Sequence, residues 1–591
     1  MKIALALIIT LLALAFYLRT LAPGVLEGDP GEFQFVPYVL GIPHPPGYPL
    51  FCFLGWIWSH LFPVGNVAFK MNFFSALWGA AAVGLLALFA LEVSREHNSP
   101  SYLWPPAVGA LTFAFSRTFW SQATVAEVYT FNAFLLILFL WSVLKNLPLP
   151  VLSLILGSSL AHHRSFILIL PGVIAFYLLR RSRPGGPFLL ALVLLLAPLL
   201  LYLLIPLRAP NLPYLSVQLS PTDTLILYDN SFRGFLDFIM ARRFGGLLRW
   251  EAISQDRLME AGRWLVEEFG WGGIILGMVG ILGLFLRRRW DILALTGLGF
   301  VSVWIFNLAY LIGDIRFLYT PVYLLFAFWI SCGAGELAVK LGNKALLLII
   351  VPFILLWQNF HTFSHSPGTD VARKWDYILS LPLPEGAILV SNDRDELVPL
   401  YYFQLVEKRR PDLIPLFPMM VPQLGDIGFV LDRALASGRP VFAIKPMEGL
   451  EVAYELQEWD GLRKVVGKVR EEGFIPLNLE VSDSLTLAGY RLLERNGRIK
   501  IALYWKALGP LREDFHSYLH ILGAGGERIA GSDHRPGGVF YPASLWKPGQ
   551  LLRDVHEIEG AFAFPLRVKA GFYRWPSLEP FGKAVEFEVK P

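Results

Sequence analysis

IALALIITLLALAFYLRTL (residues 3–21) runs almost directly into LEGDPGEFQFVPYVLGIPHPPGYPLF (residues 26–51). The first stretch carries a single charge, Arg19, and is close to the 20 or so apolar residues a helix needs to cross a bilayer. It reads as a retained span, because it is long for a signal-peptide core and no small-x-small site precedes Pro23. In the second stretch Pro30 and Gly31 fix a turn between Asp29 and Glu32 near the membrane surface, and Pro43, Pro45, Pro46 and Pro49 make the part that follows stiff and non-helical. Ten more apolar runs follow, at residues 69–91, 103–116, 124–144, 148–162, 165–180, 187–207, 271–286, 291–312, 317–338 and 345–361. The expectation is a polytopic α-helical membrane protein with about 11 transmembrane helices.

Composition agrees. Of 591 residues, 55% are apolar and 17% charged, against roughly 25% charged in a soluble protein. The charge is unevenly spread: 40 Asp, Glu, Lys and Arg in residues 1–365, about 11%, and 58 in residues 366–591, about 26%. Three domains are expected: a transmembrane domain at 1–365, an α/β domain at 366–475 and an antiparallel β-sandwich at 476–591. The two cysteines, Cys52 and Cys332, both lie in apolar runs and supply neither a disulfide framework nor a cysteine-based zinc site. A net charge of +4 with no basic run interleaved with aromatics excludes a nucleic-acid partner.

Lys and Arg in short loops resist translocation and so fix orientation. With Lys2 inside, alternation puts Arg95, Lys145, Arg180, Arg181, Arg183, Arg287, Arg288, Arg289, Lys340 and Lys344 on the cytoplasmic side. The 22–68 loop, the 208–270 loop and everything after residue 365 then lie outside. That external side collects Glu27, Asp29, Glu32, His44, Arg117, Gln122, Glu127, His162, His163, Arg164, Arg208, Asp314 and Arg316 from at least five helix ends. Ionisable groups at membrane depth are costly and mark substrate paths. Asp29 and Glu32 are three residues apart, with Pro30 and Gly31 between them, and a carboxylate there can act as general base on a hydroxyl. Glu127, Tyr129 and Asn132 do not share one helix face. For Glu127, pairing with Arg117 or Arg164 and contact with substrate are equally good readings.

The 208–270 loop has Phe232, Phe235 and Phe238 at helical spacing, which reads as an interfacial helix or as a cover over a substrate. After residue 365, AILVSND, ELVPLYYFQLVEKRR and DLIPLFP read as strand, helix and strand of a parallel sheet. No G-x-G-x-x-G or P-loop is present, and the acidic group from Asn392 to Glu396 reads as a helix cap or a ligand site. From about residue 476 short alternating strands with Gly and Pro turns give the sandwich. Tyr504, Trp505, Tyr541, Trp546, Tyr573 and Trp575 serve it as core or as sugar-stacking faces.

Several motifs occur in a fixed order: EGDPGEF and LGIPHPPGYPL, WSQATVAEVYTFNAF, LGSSLAHHRSFILILPG, YLLIPLRAP, RFLYTPVYLLFAFW and ILVSNDRDELVPLYYFQLVEKRRPDLIPL. Together, over roughly residues 1–420, they resemble the GT-C superfamily of membrane glycosyltransferases. The closer likeness is to the protein O-mannosyltransferase-like family that includes the eukaryotic transmembrane O-mannosyltransferase of plexin IPT domains. The resemblance implies transfer of a sugar, mannose or another hexose, from a polyprenyl-phosphate donor to a Ser or Thr hydroxyl of an exported protein, with inversion. It places Asp29 as the catalytic base and Glu32 as the second carboxylate of the acidic motif. His44, Arg117, Glu127, His163, Arg164, Arg208 and Arg316 are the expected phosphate or sugar contacts. No metal or other cofactor is implied, and the partners are the lipid-linked donor, an exported protein or glycan acceptor and the bilayer. Many relatives have a small residue where Pro30 stands and an Asn within the segment that here reads His162, His163 and Arg164. The alternative class is a non-catalytic transporter or scaffold for lipid-linked sugars, which would expose polar groups toward both sides of the membrane.

Overall fold

The computed structural model describes residues 2–94, 104–363, 369–419, 424–494 and 497–591. Arg95, used above for orientation, lies outside the described residues. The chain forms two compact units, one of residues 1–217, 226–378 and 398–409, the other of 218–225, 379–397 and 410–591.

The first unit is helical. Helix α1 (Lys2–Arg19) leads through the loop to α2 (Gly28–Phe35), α3 (Pro49–Leu61) and α4 (Val67–Val93). Pro49 starts α3, where a missing N–H costs nothing. The Asn66 side chain accepts the Phe69 N–H at 2.8 Å to cap α4. Next come α5 (Pro105–Ala114), α6 (Arg117–Ala123), α7 (Tyr129–Leu144), α8 (Leu149–His162) and α9 (Leu170–Arg180). Helices α10 (Phe188–Leu196) and α11 (Leu204–Arg208) flank a 3₁₀ segment and precede the amphipathic α12 (Phe232–Ile239). Helix α13 (Gln255–Leu286) is interrupted at Gly270, whose φ of 61° only glycine adopts readily. Then α14 (Trp290–Ala309), α15 (Ile315–Leu318), α16 (Thr320–Leu341), α17 (Ile350–Phe363), α18 (Thr369–Ser380) and α19 (Val398–Leu405) follow.

All eleven expected stretches contain helix, and the chain is a multi-pass membrane protein. Among the described residues, six runs are long and apolar enough to cross a membrane: Lys2–Arg19, Val67–Val93, Phe188–Asn211, Gln255–Leu286, Trp290–Ala309 and Thr320–Phe363. The count differs from eleven because helices such as α5, α7, α8 and α9 have only 10–16 residues. The last two expected spans also merge into one run. Helices α13 and α16 cross at backbone distance. A Cβ on Gly280 would strike the Trp329 carbonyl, and one on Gly333 would strike the Leu276 carbonyl. Small residues are what allow such a crossing between membrane helices.

Among the described residues, the second unit contains a five-stranded sheet and two four-stranded sheets, together with most of a small hairpin. With β1 (Ser216–Ser220) and β2 (Asp223–Ile226) forming a hairpin, the strands β3 (Ile388–Val390), β4 (Ile414–Leu416), β5 (Val441–Ala443), β6 (Tyr454–Trp459) and β7 (Leu462–Lys468) make a sheet of order β4-β3-β5-β7-β6. It is mixed, not parallel as expected. β3 runs parallel to β4 and β5, but β7 is antiparallel to β5 because the tight turn at Asp460 and Gly461 folds β6 and β7 into a hairpin. Helix α20 (Ile427–Ala436) packs beside this sheet.

The sandwich has one sheet of β13 (Leu551–Glu559), β10 (Arg498–Ala507), β9 (Leu485–Glu494) and β8 (Ile475–Ser482). The other is β12 (Arg528–His534), β11 (His516–Leu522), β14 (Leu566–Tyr573) and β15 (Pro580–Val589). The mixed sheet and the sandwich, expected as separate domains, fall in one unit. Ion pairs join them, Lys547 to Asp432 at 2.8 Å and Arg553 to Glu455 at 2.8 Å. Trp505, Tyr504, Tyr541 and Trp546 are buried core, which leaves Tyr573 and Trp575 of the six sugar-stacking candidates on the surface.

Substituting Gly333→Val should lower the melting temperature of the detergent-solubilised chain. Overpacking a tight contact costs about 1–3 kcal/mol, and Gly335→Val, with open space around it, should leave the temperature nearly unchanged.

Candidate active site

Helix α2 carries the two acids, and its position is fixed by buried amides. The Gln34 side chain accepts the Leu26 N–H at 3.0 Å and donates to the Gly24 carbonyl at 3.0 Å and to Asn72 Oδ1 at 3.1 Å. Asn72, on α4, donates in turn to the Ala22 carbonyl at 2.8 Å. Both side chains are fully buried. Breaking this chain would strand loop groups at a cost of about 1–3 kcal/mol each. Gly31 is needed for the same packing, since any side chain there would collide with the Leu26 carbonyl and press on Val398.

Asp29 lies in the first turn of α2, where the helix dipole favours an anion. Glu32 follows one turn later on the same face. His44 comes from the proline-rich stretch to meet them: its Nδ1 is 2.5 Å from Glu32 Oε2 and 3.6 Å from Asp29 Oδ1, and its backbone N–H donates to Glu32 Oε1 at 3.1 Å. Nδ1 faces acceptors on both sides and therefore carries the proton. Both Glu32 oxygens hold His44, and the Glu32 side chain is 13% exposed against 32% for Asp29, so Asp29 is the acid an incoming group can reach. The donor atoms of Asp29, Glu32 and His44 all lie within 4.8 Å of one another, close enough to share a divalent cation.

Tyr48 closes this group. Its ring stands edge-on to Phe33 and His44, each 5.5 Å away. Burial and the carboxylates of Asp29, Glu127 and Glu32 push its phenol far above the ordinary range, so it stays a neutral hydroxyl. Glu127 is buried just before α7, its backbone held by Ser75 Oγ, which accepts the N–H at 2.9 Å and donates to the carbonyl at 3.0 Å. It lies within the electrostatic reach of Asp29, His44 and Asp314. Its Oε2 accepts the Val128 N–H at 3.1 Å, and neither Arg117 nor Arg164 forms an ion pair with it among the described residues.

The expected cations divide. Arg208 donates to the carbonyls of Leu40 and Val39 at 3.0 Å each, and Tyr214 exchanges hydrogen bonds with both backbone groups of Ile42, so these residues brace the loop. Arg316 pairs with Glu267 and with the fully buried Glu268 at 2.8 Å each, and Glu268 also accepts the Thr118 N–H and hydroxyl. The guanidinium is neutralised where it stands, and a phosphate contact from Arg316 would have to displace these acids. Arg117 is exposed on α6. His163 binds Ser165 Oγ through Nδ1 at 2.6 Å, and Arg164 reaches the Ile239 carbonyl at 3.4 Å with one nitrogen.

Tyr129, Asn132, His163, Ser165, Asn307 and apolar neighbours that include Val303 and Pro321 line a small recess. Tyr129 and Asn132 share its wall because α7 begins at Tyr129 and places them at i and i+3, while Glu127, which precedes the helix, is not part of the lining. Asn132 Oδ1 and Asn307 Nδ2 are buried with no partner, which for amides in a dry site points to a polar guest. Sequence reading missed Gln34, Asn72, Asn307 and Glu268. The available signal was a polar residue inside an apolar run, the same signal that singled out Glu127.

Residues 29–185 match the family described as the protein O-mannosyl-transferase TMEM260 N-terminal domain. The chain resembles the TMEM260 protein O-mannosyl-transferases. It is 27% identical over 467 residues to the Dictyostelium discoideum protein named protein O-mannosyl-transferase tmem260, a span of 67% of this chain and 55% of that protein. Identity to the mouse protein O-mannosyl-transferase TMEM260 is 36% over 118 residues, 20% of this chain and 16% of that protein. The chain thus aligns with little more than half of one relative and a sixth of the other. Among solved structures, ArnT from Cupriavidus metallidurans bound to undecaprenyl phosphate superposes with a TM-score of 0.49 at 12% identity, over 79% of this chain and 98% of that one.

Arg316→Ala should destabilise the solubilised protein by about 3–5 kcal/mol, because it leaves Glu268 charged and buried without its partner. The double change Arg316→Met with Glu268→Met should recover most of that loss in a thermal melt.

Proposed function

We propose that the chain is a membrane glycosyltransferase that moves a hexose, mannose in the first instance, from a polyprenyl-phosphate carrier to a Ser or Thr hydroxyl of an exported protein. One observation carries the reading: an accessible carboxylate, Asp29, and a small recess with unpartnered amide groups of Asn132 and Asn307 both lie near Tyr129. Tyr129 connects the two, lining the recess and lying within the field of Asp29. The family match, which begins at residue 29, supports the same reading.

The acceptor hydroxyl gives its proton to Asp29 as its oxygen forms a bond to the anomeric carbon. The bond from that carbon to the carrier phosphate breaks, and the electron pair stays on the phosphate. A single displacement inverts the anomeric centre. Asn132 and Asn307 supply an acceptor and a donor for sugar hydroxyls, and His163 and Arg164 stabilise the leaving phosphate. Glu32 and His44 hold the loop in place and set the charge around Asp29. The reading assigns no metal and no other cofactor, and it places residues 366–591 outside the cytoplasm.

With lipid-linked mannose and an acceptor peptide, Asp29→Asn should lower turnover by about 10²–10⁴-fold, the usual contribution of a general base, and leave the melting temperature unchanged. Full turnover by that variant would remove Asp29 from the chemistry and return the non-catalytic transporter or scaffold reading. Asn132→Ala and Asn307→Ala should each raise the KM for the donor roughly tenfold, as expected for one lost hydrogen bond in a dry site. Activity should survive exhaustive EDTA treatment; loss on chelation with recovery on adding a divalent cation would instead assign the Asp29, Glu32 and His44 group a metal.

A further inference from the structure

At one margin of the sandwich, edge strands of the two sheets meet. β13 presents Asp554 and His556 on its inner face, and β12 ends at His534. Asp554 and His556 are buried at 1% and 0% exposure, whereas the His534 side chain is 36% exposed and opens the group to solvent. His534 Nε2 is 2.7 Å from Asp554 Oδ1, and His556 Nε2 is 3.1 Å from Asp554 Oδ2.

The hydrogen bonding around His556 determines what belongs in the space between. Its Nδ1 is 3.2 Å from the Ser532 carbonyl, which can only accept, so Nδ1 carries the hydrogen. In the neutral ring Nε2 is then a lone pair whose one donor is the Ser517 hydroxyl at a long 3.4 Å, and it faces a carboxylate oxygen at 3.1 Å. That oxygen already accepts from Trp505 Nε1 at 3.2 Å. Two acceptors this close repel, and a cation between them, either a second proton on the ring or a metal ion, removes the repulsion. The spacing suits the metal. Zinc bonds of about 2.0–2.1 Å to nitrogen and 2.0–2.2 Å to oxygen put neighbouring ligand atoms roughly 3 Å apart, close to the observed separations. The Ser532 carbonyl orients His556 in the way an outer partner orients a metal-binding imidazole.

We propose that His534, Asp554 and His556 form a divalent transition-metal site, best suited to zinc, that pins the edge of one sheet to the edge of the other. Two imidazoles and one carboxylate complete three positions, and the exposed His534 side leaves the fourth to water. The ion joins strands that belong to different sheets, so its binding free energy is stability of the sandwich.

The test uses the full chain in detergent, stripped with EDTA, dialysed against micromolar zinc and measured by elemental analysis. One zinc per chain is expected in the unaltered protein and in His44→Ala, which breaks the other group of this kind among the described residues. His534→Ala and His534→Gln should both lose it while keeping the β-sheet circular dichroism. Zinc should also raise the melting temperature of the unaltered protein and not that of either His534 variant. Equal zinc content with and without His534, or no zinc bound at micromolar free metal, would overturn the site and leave His556 as a protonated partner of Asp554.

Discussion

Much of the helical unit depends on a short chain of amide hydrogen bonds where water is scarce. Gln34 and Asn72 between them hold the Ala22 and Gly24 carbonyls and the Leu26 N–H, in the segment that links α1 to α2, and the Thr124 carbonyl takes the Ala22 N–H. A loop at the edge of a membrane has no solvent to complete its hydrogen bonding, so every carbonyl and N–H needs a fixed partner. The consequence is rigidity at Asp29, the one carboxylate of the α2 pair whose oxygens are not both engaged by His44. An acid on a mobile loop would find its partner only part of the time; here the backbone is held before any substrate arrives.

The same scarcity governs the charges. Arg208 spends its hydrogens on carbonyls, and Arg316 is surrounded by acids it did not have to leave water to meet alone. Not every buried group is satisfied: Asn132 and Asn307, with Gln122, Thr130 and His162, each leave a polar atom without a partner. Asn132 and Asn307 differ in that both line the same recess, where leaving such groups bare costs free energy whenever the recess is empty.

Much of this was legible in the residues. The apolar runs mark where the long helices of the membrane unit lie, since hydrophobic length is set by the bilayer and needs no tertiary information, but α13 begins at Gln255, well before its expected run at 271, and α2 lies where no apolar run is expected. Asp29 and Glu32 read as neighbours on a turn, whereas the structure pairs them across one turn of the short helix α2, and strand alternation announces the sandwich. The other failures share one cause. Arg208 and Arg316 look like phosphate ligands as long as their partners are unknown, and those partners, Leu40 and Glu268, are distant in sequence. Similarly, β7 turns back because of a left-handed pair at Asp460 and Gly461, a local feature overshadowed by the preceding strand–helix–strand rhythm. His534 and His556 attract no notice in a linear reading because 21 residues separate them, and only the meeting of two sheet edges brings them together.

Helix α19 has a temporal meaning. Its Tyr402 hydroxyl accepts the Ala68 N–H at 3.2 Å, its Tyr401 ring lies 5.8 Å from Phe35, and Val398 backs Gly31. These contacts brace the first loop from a segment made hundreds of residues later. A ribosome that has delivered every membrane helix has therefore still produced an unfinished loop, with Asp29, Glu32 and His44 present but α2 unsupported. The brace on the first loop is thus completed by chain that follows the last apolar run, and α2 gains its support only after synthesis has passed that run.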